Sequence, residues 1–139
     1  MGRILAIDYG KKKTGLAVTD PLQIVANGLD TVPSKDVVAF LERYIKSEAV
    51  DLFVLGHPVQ NSGEESESMR YIRPFYNTLK NKFPHIPVEW VDERFTSKLA
   101  FQTMIGAGLK RTDRQNKELV DKISATIILQ SYMESKRIF

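Results

Sequence analysis

Three acidic positions occur where a carboxylate is locally costly. Asp8 ends a short apolar run, Asp92 and Glu93 end another, and Asp121 lies near the start of the last predicted helix. Functional sites in open α/β sheets gather at the carboxyl ends of strands. If the last helix packs across that end, these acids converge. Clustered carboxylates repel one another, so the cluster favours binding of a cation that neutralises it.

All-oxygen ligands favour a hard cation, and we therefore expect Mg²⁺ or Mn²⁺. Two such ions about 3.5–4 Å apart can activate water and stabilise the leaving oxygen in phosphodiester cleavage. Each acid also has an ordinary structural interpretation. Asp8 suits a turn former, and Asp92 or Glu93 suits a surface ion pair. Asp121 suits a first-turn acid that the helix dipole favours.

Cations flank each of these acids along the chain. They are Lys11, Lys12 and Lys13 after Asp8, Arg94 after Glu93, and Lys110, Arg111, Arg114 and Lys117 before Asp121. This pattern suits a polyanionic substrate laid across a metal site, and an ordinary solvated charge run is the alternative. The sequence shows no aromatic-rich surface for stacking bases, and the contacts that distinguish RNA from DNA cannot be assigned from it.

Composition indicates one globular domain over residues 1–139. The chain has 20 basic and 17 acidic residues, a formal net charge of +3, and 42% hydrophobic residues. The absence of cysteine excludes disulfides, thiolate metal sites and cysteine nucleophiles. No apolar run approaches the roughly 20 residues of a membrane span, and the N-terminus lacks a signal-peptide core. We expect a soluble cytoplasmic protein without a membrane partner.

The hydrophobic pattern predicts an α/β protein with a mixed five-stranded sheet flanked by helices. Predicted strands cover 3–9, 16–19, 24–32, 51–56 and 87–91. Predicted helices cover 35–47 with Ser34 as N-cap, 64–82 with a kink or break at Pro74, a short segment from 96 to 105, and 116–134.

Other catalytic schemes have little support. The chain has no phosphate-binding Walker loop and no nucleophile elbow. His57 and His85 are isolated in the sequence. His57 follows a buried strand and reaches toward the same sheet edge, but a loop role is favoured over catalysis.

Four segments resemble motifs of the YqgF (RuvX) family. The residues from Asp8 to Asp20 resemble its opening motif, and Gly56-His57-Pro58 with Gly63 resembles its central loop. The run from Asp92 to Ser97 resembles its Asp-Glu-Arg motif. Asp121 with Ala125 resembles its C-terminal helix. The resemblance spans nearly the whole chain.

This resemblance implies an RNase H-like fold related to the RuvC resolvases. It implies a metal-dependent nuclease, described both as a Holliday junction resolvase and as a pre-16S rRNA processing nuclease. Asp8, Glu93 and Asp121 would be the catalytic residues and the metal ligands, with Asp92 as a neighbour. Lys13 stands where the family often has Arg, which retains the charge but loses bidentate phosphate geometry. His57 stands where the family usually has an apolar or small residue.

Alternatives remain open at this point. The opening motif also resembles the phosphate loop of the actin and sugar-kinase ATPases, but those enzymes need two lobes. A non-catalytic nucleic-acid-binding adaptor is a further candidate. The substrate would be precursor rRNA, with ribosomal particles as partners, or branched DNA. Cutting a junction would require two active sites and hence a homodimer, whereas RNA trimming would suit a monomer.

Overall fold

The computed structural model describes residues 2–58, 67–92 and 117–136, with the backbone alone for 117–122. The described strands form one five-stranded sheet in the order β3-β2-β1-β4-β5. They are β1 (Arg3–Tyr9), β2 (Lys13–Thr19), β3 (Ala26–Pro33), β4 (Val50–His57) and β5 (Val88–Asp92). The first three strands pair antiparallel, and β4 and β5 run parallel to β1. The predicted mixed sheet is confirmed.

Helices cover both faces of this sheet. They are α1 (Val37–Ser47), α2 (Met69–Lys82) and α3 (Lys117–Lys136). Helices α1 and α2 share a core with Leu5 and Ile7 of β1. Helix α3 packs on the other face, against Ile4 and Ala6. Successive side chains of a strand point to opposite faces, so β1 contributes to both cores. Among the described helices, none is both long and apolar enough to cross a membrane.

Two local predictions need correction. Ser34 does not cap α1 with its side chain; it begins a 3-10 turn (Ser34–Asp36), and its hydroxyl bonds elsewhere. Pro74 lies within a continuous helix α2, so the predicted break at this residue is wrong. Proline removes one backbone hydrogen bond, but buried side chains on both sides of Pro74, Ile72 and Phe75 among them, hold the helix on the core. The predicted helix at 96–105 lies outside the described residues.

Helix α3 approaches the sheet closely because small residues line the contact. Ala6, Ala17 and Ala125 are fully buried in the core that α3 shares with the sheet. Ile128 and Leu129 complete the contact face of the helix. Removing such apolar surface from water stabilises the fold by roughly 25 cal/mol per Å². The sequence of small residues therefore determines which face of the sheet α3 occupies.

A polar contact joins α3 to the edge strand β5. The Tyr132 hydroxyl donates a hydrogen bond to Oε2 of Glu89. Lys136 lies with its Nζ 4.0 Å from Oε1 of the same carboxylate and 5.5 Å from the centre of the Tyr132 ring. Burial, and then the Glu89 carboxylate, raise the pKa of Tyr132 to about 12. This contact fixes the C-terminal half of α3 against β5.

Tyr132→Phe should lower the free energy of unfolding by about 1 kcal/mol at neutral pH, because it removes a hydrogen bond to a charged but partly exposed acceptor. The raised pKa makes this contribution full below the unfolded-state value near 10 and lost as pH rises through about 12. Urea unfolding at several alkaline pH values measures both effects. Tyr76→Phe, which leaves the Glu89 contact intact, is the control. An equal alkaline loss in wild type and Tyr132→Phe would contradict this assignment.

Candidate active site

Asp8 emerges at the carboxyl end of β1, on the face that α3 covers. Ile4 and Ala6 belong to the α3 core, and alternation along β1 places Asp8 on the same face. The side chain is half-buried. Across the antiparallel ladder Asp8 pairs with Gly15 of β2. Asp8 therefore lies at the carboxyl end of the central strand, as the sequence predicts.

Tyr9 anchors the end of β1 on the opposite face. Its ring stacks on Phe75 of α2, with centroids 4.1 Å apart and planes 15° apart. Burial, with a smaller contribution from Tyr71, raises the pKa of Tyr9. A neutral, packed Tyr9 holds the strand end in place, and so fixes the direction in which the neighbouring Asp8 points.

Lys13 lies on the same face as Asp8. In β2, Leu16 and Val18 face the α1 and α2 core while Ala17 faces α3, so alternation places Lys13 toward α3. Because Asp8 pairs with Gly15, Lys13 is its diagonal cross-strand neighbour. Diagonal pairs lie roughly 7–8 Å apart, within reach of a long side chain. An ammonium and a carboxylate thus share one short stretch of the surface.

The turn that carries Lys11 and Lys12 is tied down by Ser34. The Ser34 hydroxyl donates to the Gly10 carbonyl at 2.6 Å and lies 2.8 Å from the hydroxyl of the fully buried Thr14. The Ser34 backbone N–H donates to the Lys12 carbonyl at 2.8 Å. Both lysine side chains are exposed. The turn therefore has a fixed backbone and two cations directed into solvent beside Asp8.

Asp92 does not share the face of Asp8. Glu89 contacts Tyr132 of α3, and Val91 packs in the α3 core, whereas Trp90 packs in the opposite core. Alternation therefore places Asp92 on the face of α1 and α2. Strand β4 also separates β5 from β1, a lateral distance of about 10 Å at two strand spacings. Asp92 is a neighbour of the site rather than a partner of Asp8.

Helix α3 runs antiparallel to β1. Met133 and Glu134 line a cavity with Ile24, Val25 and Ala26, and Ala26 pairs with Thr19. Thr19 lies beside the amino end of β1, so the C-terminal part of α3 lies at that end. The N-terminal end of α3, where Asp121 lies one turn before Ala125, is consequently at the carboxyl end of β1. The predicted approach of this helix to the Asp8 edge is consistent with the direction of its axis.

The remaining predicted site residues fall elsewhere. Glu93, Arg94, Lys110, Arg111 and Arg114 lie outside the described residues, and for Asp121 and Lys117 the backbone alone is described. Within the described segments, no three His, Asp or Glu side chains gather as a metal site. Asp8 is thus the one member of the predicted acidic centre whose side chain the structure describes.

Sequence reasoning missed an aromatic cluster at the same end of the sheet. The Trp90 ring centre lies 5.1 Å from that of His57 and 4.8 Å from that of Tyr76. No aromatic-rich surface is evident from the sequence alone. These residues are far apart in the sequence, and only the parallel pairing of β4 with β5 and the packing of α2 bring them together.

Comparison of the architecture with solved structures identifies the class of fold. A structure of Thermus thermophilus RuvC in complex with a Holliday junction substrate matches with a TM-score of 0.58 at 14% identity, covering 98% of this chain and 97% of that one. A second T. thermophilus RuvC structure matches with a TM-score of 0.55 at 14% identity, covering 95% and 96%. This similarity shows the RNase H-like fold.

Sequence comparison then identifies the family. A protein from Phocaeicola vulgatus is 63% identical over 137 residues, covering 99% of both chains. One from Bacteroides fragilis is 58% identical over 138 residues, covering 99% of this chain and 100% of its own. Both carry the name "Putative pre-16S rRNA nuclease". The family model RuvX, described as Holliday junction resolvase, matches residues 2–135. The chain belongs to the RuvX family, and it is a nuclease, a hydrolase that binds nucleic acid.

Gly10→Ala should displace the basic turn, because a Cβ at this position would lie 2.3 Å from the Lys13 carbonyl oxygen. Overpacking against backbone costs about 1–3 kcal/mol, and urea unfolding measures the loss. Lys11→Ala, which removes one ammonium and keeps the turn backbone, is the control and should retain wild-type stability. Wild-type stability in Gly10→Ala would show that the turn is not held as described.

Proposed function

We propose that the chain hydrolyses phosphodiester bonds of precursor 16S rRNA with the help of Mg²⁺ or Mn²⁺. The single observation that carries the proposal is the position of Asp8: a half-buried carboxylate at the carboxyl end of a central strand, on the α3 face, beside Lys13 and the basic turn. The substrate follows from the name of relatives that match along nearly the whole chain. Such a substrate implies action in the cytoplasm, on ribosomal particles.

The proposed metal ligands are Asp8, Glu93 and Asp121. Carboxylate oxygens are the hard donors that Mg²⁺ and Mn²⁺ prefer, so the donor chemistry fits. Asp92 has the parity opposite to Glu89 and Val91, which face α3. Glu93 is proposed instead because the run from Asp92 to Ser97 resembles the Asp-Glu-Arg motif of the family. For Asp121, support comes from its helical stripe, which continues through Ala125 and Leu129 of the buried face.

Each group of residues has a separate task in this proposal. The carboxylates would hold the divalent ion. When bound, this ion would act as a Lewis acid and would activate water. Lys12, Lys13 and Arg94 orient the phosphates by charge-assisted contacts. Attack of the water oxygen on phosphorus breaks the bond to one sugar oxygen, which leaves with a proton. Ser34 anchors the backbone of the turn at Lys12 before substrate arrives, and preorganisation of this kind lowers the barrier.

Asp8→Asn should reduce cleavage of precursor 16S rRNA by about a thousandfold or more, because it removes one charged ligand while keeping the side-chain shape. Nucleic-acid binding should stay within a few-fold, since the cations that contact phosphates remain. Asp30→Asn, at an exposed carboxylate of the edge strand β3, is the matched control and should cleave normally. Undiminished cleavage by Asp8→Asn would remove Asp8 from the mechanism.

Thermal melts with millimolar Mg²⁺ or Mn²⁺ give a second test that needs no substrate. A ligand that binds only the folded state raises the melting temperature by mass action. Wild type and Asp30→Asn should therefore gain stability, and Asp8→Asn should gain little. Absence of a shift with both ions in wild type, together with no cleavage, would favour the non-catalytic adaptor.

A Holliday junction is the second candidate substrate, because the matching family model is described as a resolvase. Incubation of the protein with four-way DNA junctions and precursor rRNA side by side separates the two. We expect cleavage of the RNA and an intact junction. Symmetric cutting of the junction with no RNA cleavage would replace the proposed substrate and would also require two active sites, hence a dimer.

A further inference from the structure

A half-buried aromatic cluster lies on the face of the sheet opposite Asp8. It consists of His57 at the end of β4, Trp90 in β5 and Tyr76 in α2. The ring centres of His57 and Tyr76 lie 5.1 and 4.8 Å from that of Trp90. Nζ of Lys80 lies 5.2 Å from the centre of the Tyr76 ring. Aromatic rings with a neighbouring cation are the groups on which single-strand-binding proteins stack bases.

The helix that borders this aromatic cluster is strongly basic. Helix α2 carries Arg70, Arg73, Lys80 and Lys82, all exposed, and contains no acidic residue. Lys82 approaches Glu42 of α1 at 3.8 Å, an exposed contact that offsets little of the helix's charge. The net charge of this helix therefore exceeds the +3 of the entire chain. A surface with this charge complements a polyanion.

A small depression adjoins the aromatic cluster. Its volume is about 190 Å³, and Tyr76, Lys80, Phe83, Pro84 and Val88 are among its lining residues. Ligand pockets for drug-sized molecules begin at roughly 300 Å³, so this depression suits a single ring system rather than a whole cofactor. Apolar and aromatic side chains and Lys80 contribute to its lining, which is polar and apolar in similar measure. A nucleobase has the size and flat apolar faces that such a depression accepts.

We propose that the aromatic cluster, with Lys80 and the neighbouring depression, binds bases of a single-stranded segment of the nucleic acid that the protein cleaves. This inference rests on the proposed function for the identity of the ligand. Trp90 pairs with Leu55, which pairs with Ile7, so Trp90 is level with the residue before Asp8. The lateral separation is two strand spacings, about 10 Å. A nucleic-acid segment of a few nucleotides that passes His57 and bends around the carboxyl ends of the β-strands would contact both faces of the sheet.

Trp90 is the one tryptophan of the chain, so its fluorescence reports on this surface directly. We would titrate the protein, residues 1–139, without divalent ions, with a short single-stranded RNA that lacks secondary structure. Stacking of a base on the cluster should quench Trp90. The quenching should weaken as salt rises, because phosphates also contact the basic helix. A double-stranded RNA of the same sequence should quench less, since its bases are already stacked.

Two substitutions separate stacking from charge. Tyr76→Leu keeps an apolar side chain but removes the ring, and should weaken binding about tenfold, as expected for loss of one base–aromatic stack. Tyr76→Phe should retain wild-type affinity. Lys80→Glu should weaken binding about two- to tenfold, mainly at low salt. Lys46→Glu makes the same charge change at an exposed position of α1 and is the matched control. Circular dichroism melts confirm that each variant is folded.

The outcomes distinguish this inference from the proposed function. Quenching that depends on Tyr76 supports the inference even if no RNA is cleaved, in which case the proposed function is the part that fails. Cleavage of precursor rRNA without quenching, and unchanged RNA affinity in folded Tyr76→Leu, would overturn the inference and leave the proposed function intact. Equal losses in Lys80→Glu and Lys46→Glu would also overturn it, because the binding would then follow net charge alone.

Discussion

The close contact of α3 with the centre of the sheet is the interaction on which the rest of the structure depends. Fully buried alanines from β1, β2 and α3 allow the helix to lie directly on the strands. Strand alternation then divides the sheet into two surfaces with different chemistry. Asp8 and Lys13 emerge on the α3 side, and Trp90 with Asp92 emerges on the side of α1 and α2. A shift of one residue in β1 would exchange these surfaces.

The two surfaces suit different parts of one polyanionic substrate. The α3 side combines a carboxylate with cations held by a fixed turn, which suits a phosphate group in reaction with a divalent ion. The α2 side combines aromatic rings with a helix that carries only basic charge, which suits bases and the flanking backbone. The two sides meet at the carboxyl edge of the sheet, where β1, β4 and β5 all end. The proposed contacts with bases and the proposed cleavage site would then share one edge of the sheet.

The sequence predicts the sheet, most element positions and the location of Asp8, because these depend on local hydrophobic pattern and strand ends. It does not predict contacts made by distant residues. Ser34 has the type of an N-cap, but the buried hydroxyl of Thr14 and the Gly10 carbonyl compete for its side chain. The position of Asp92 on the face opposite Asp8 depends on the parity of β5, which the contact of Glu89 with Tyr132 determines. His57, Tyr76 and Trp90 approach one another only through tertiary packing.

Paramagnetic broadening of backbone amide signals by Mn²⁺ tests for a metal site beside Asp8, because it locates a bound divalent ion without requiring a substrate. For a site at this edge, substoichiometric Mn²⁺ should broaden the amides of Asp8, Gly15 and the N-terminal turns of α3 first. Thr19 and Met133, at the opposite end of the sheet, should remain sharp. Loss of this broadening pattern in Asp8→Asn would assign the bound ion to the Asp8 carboxylate. Broadening centred elsewhere, or unchanged in Asp8→Asn, would contradict a metal site at this edge.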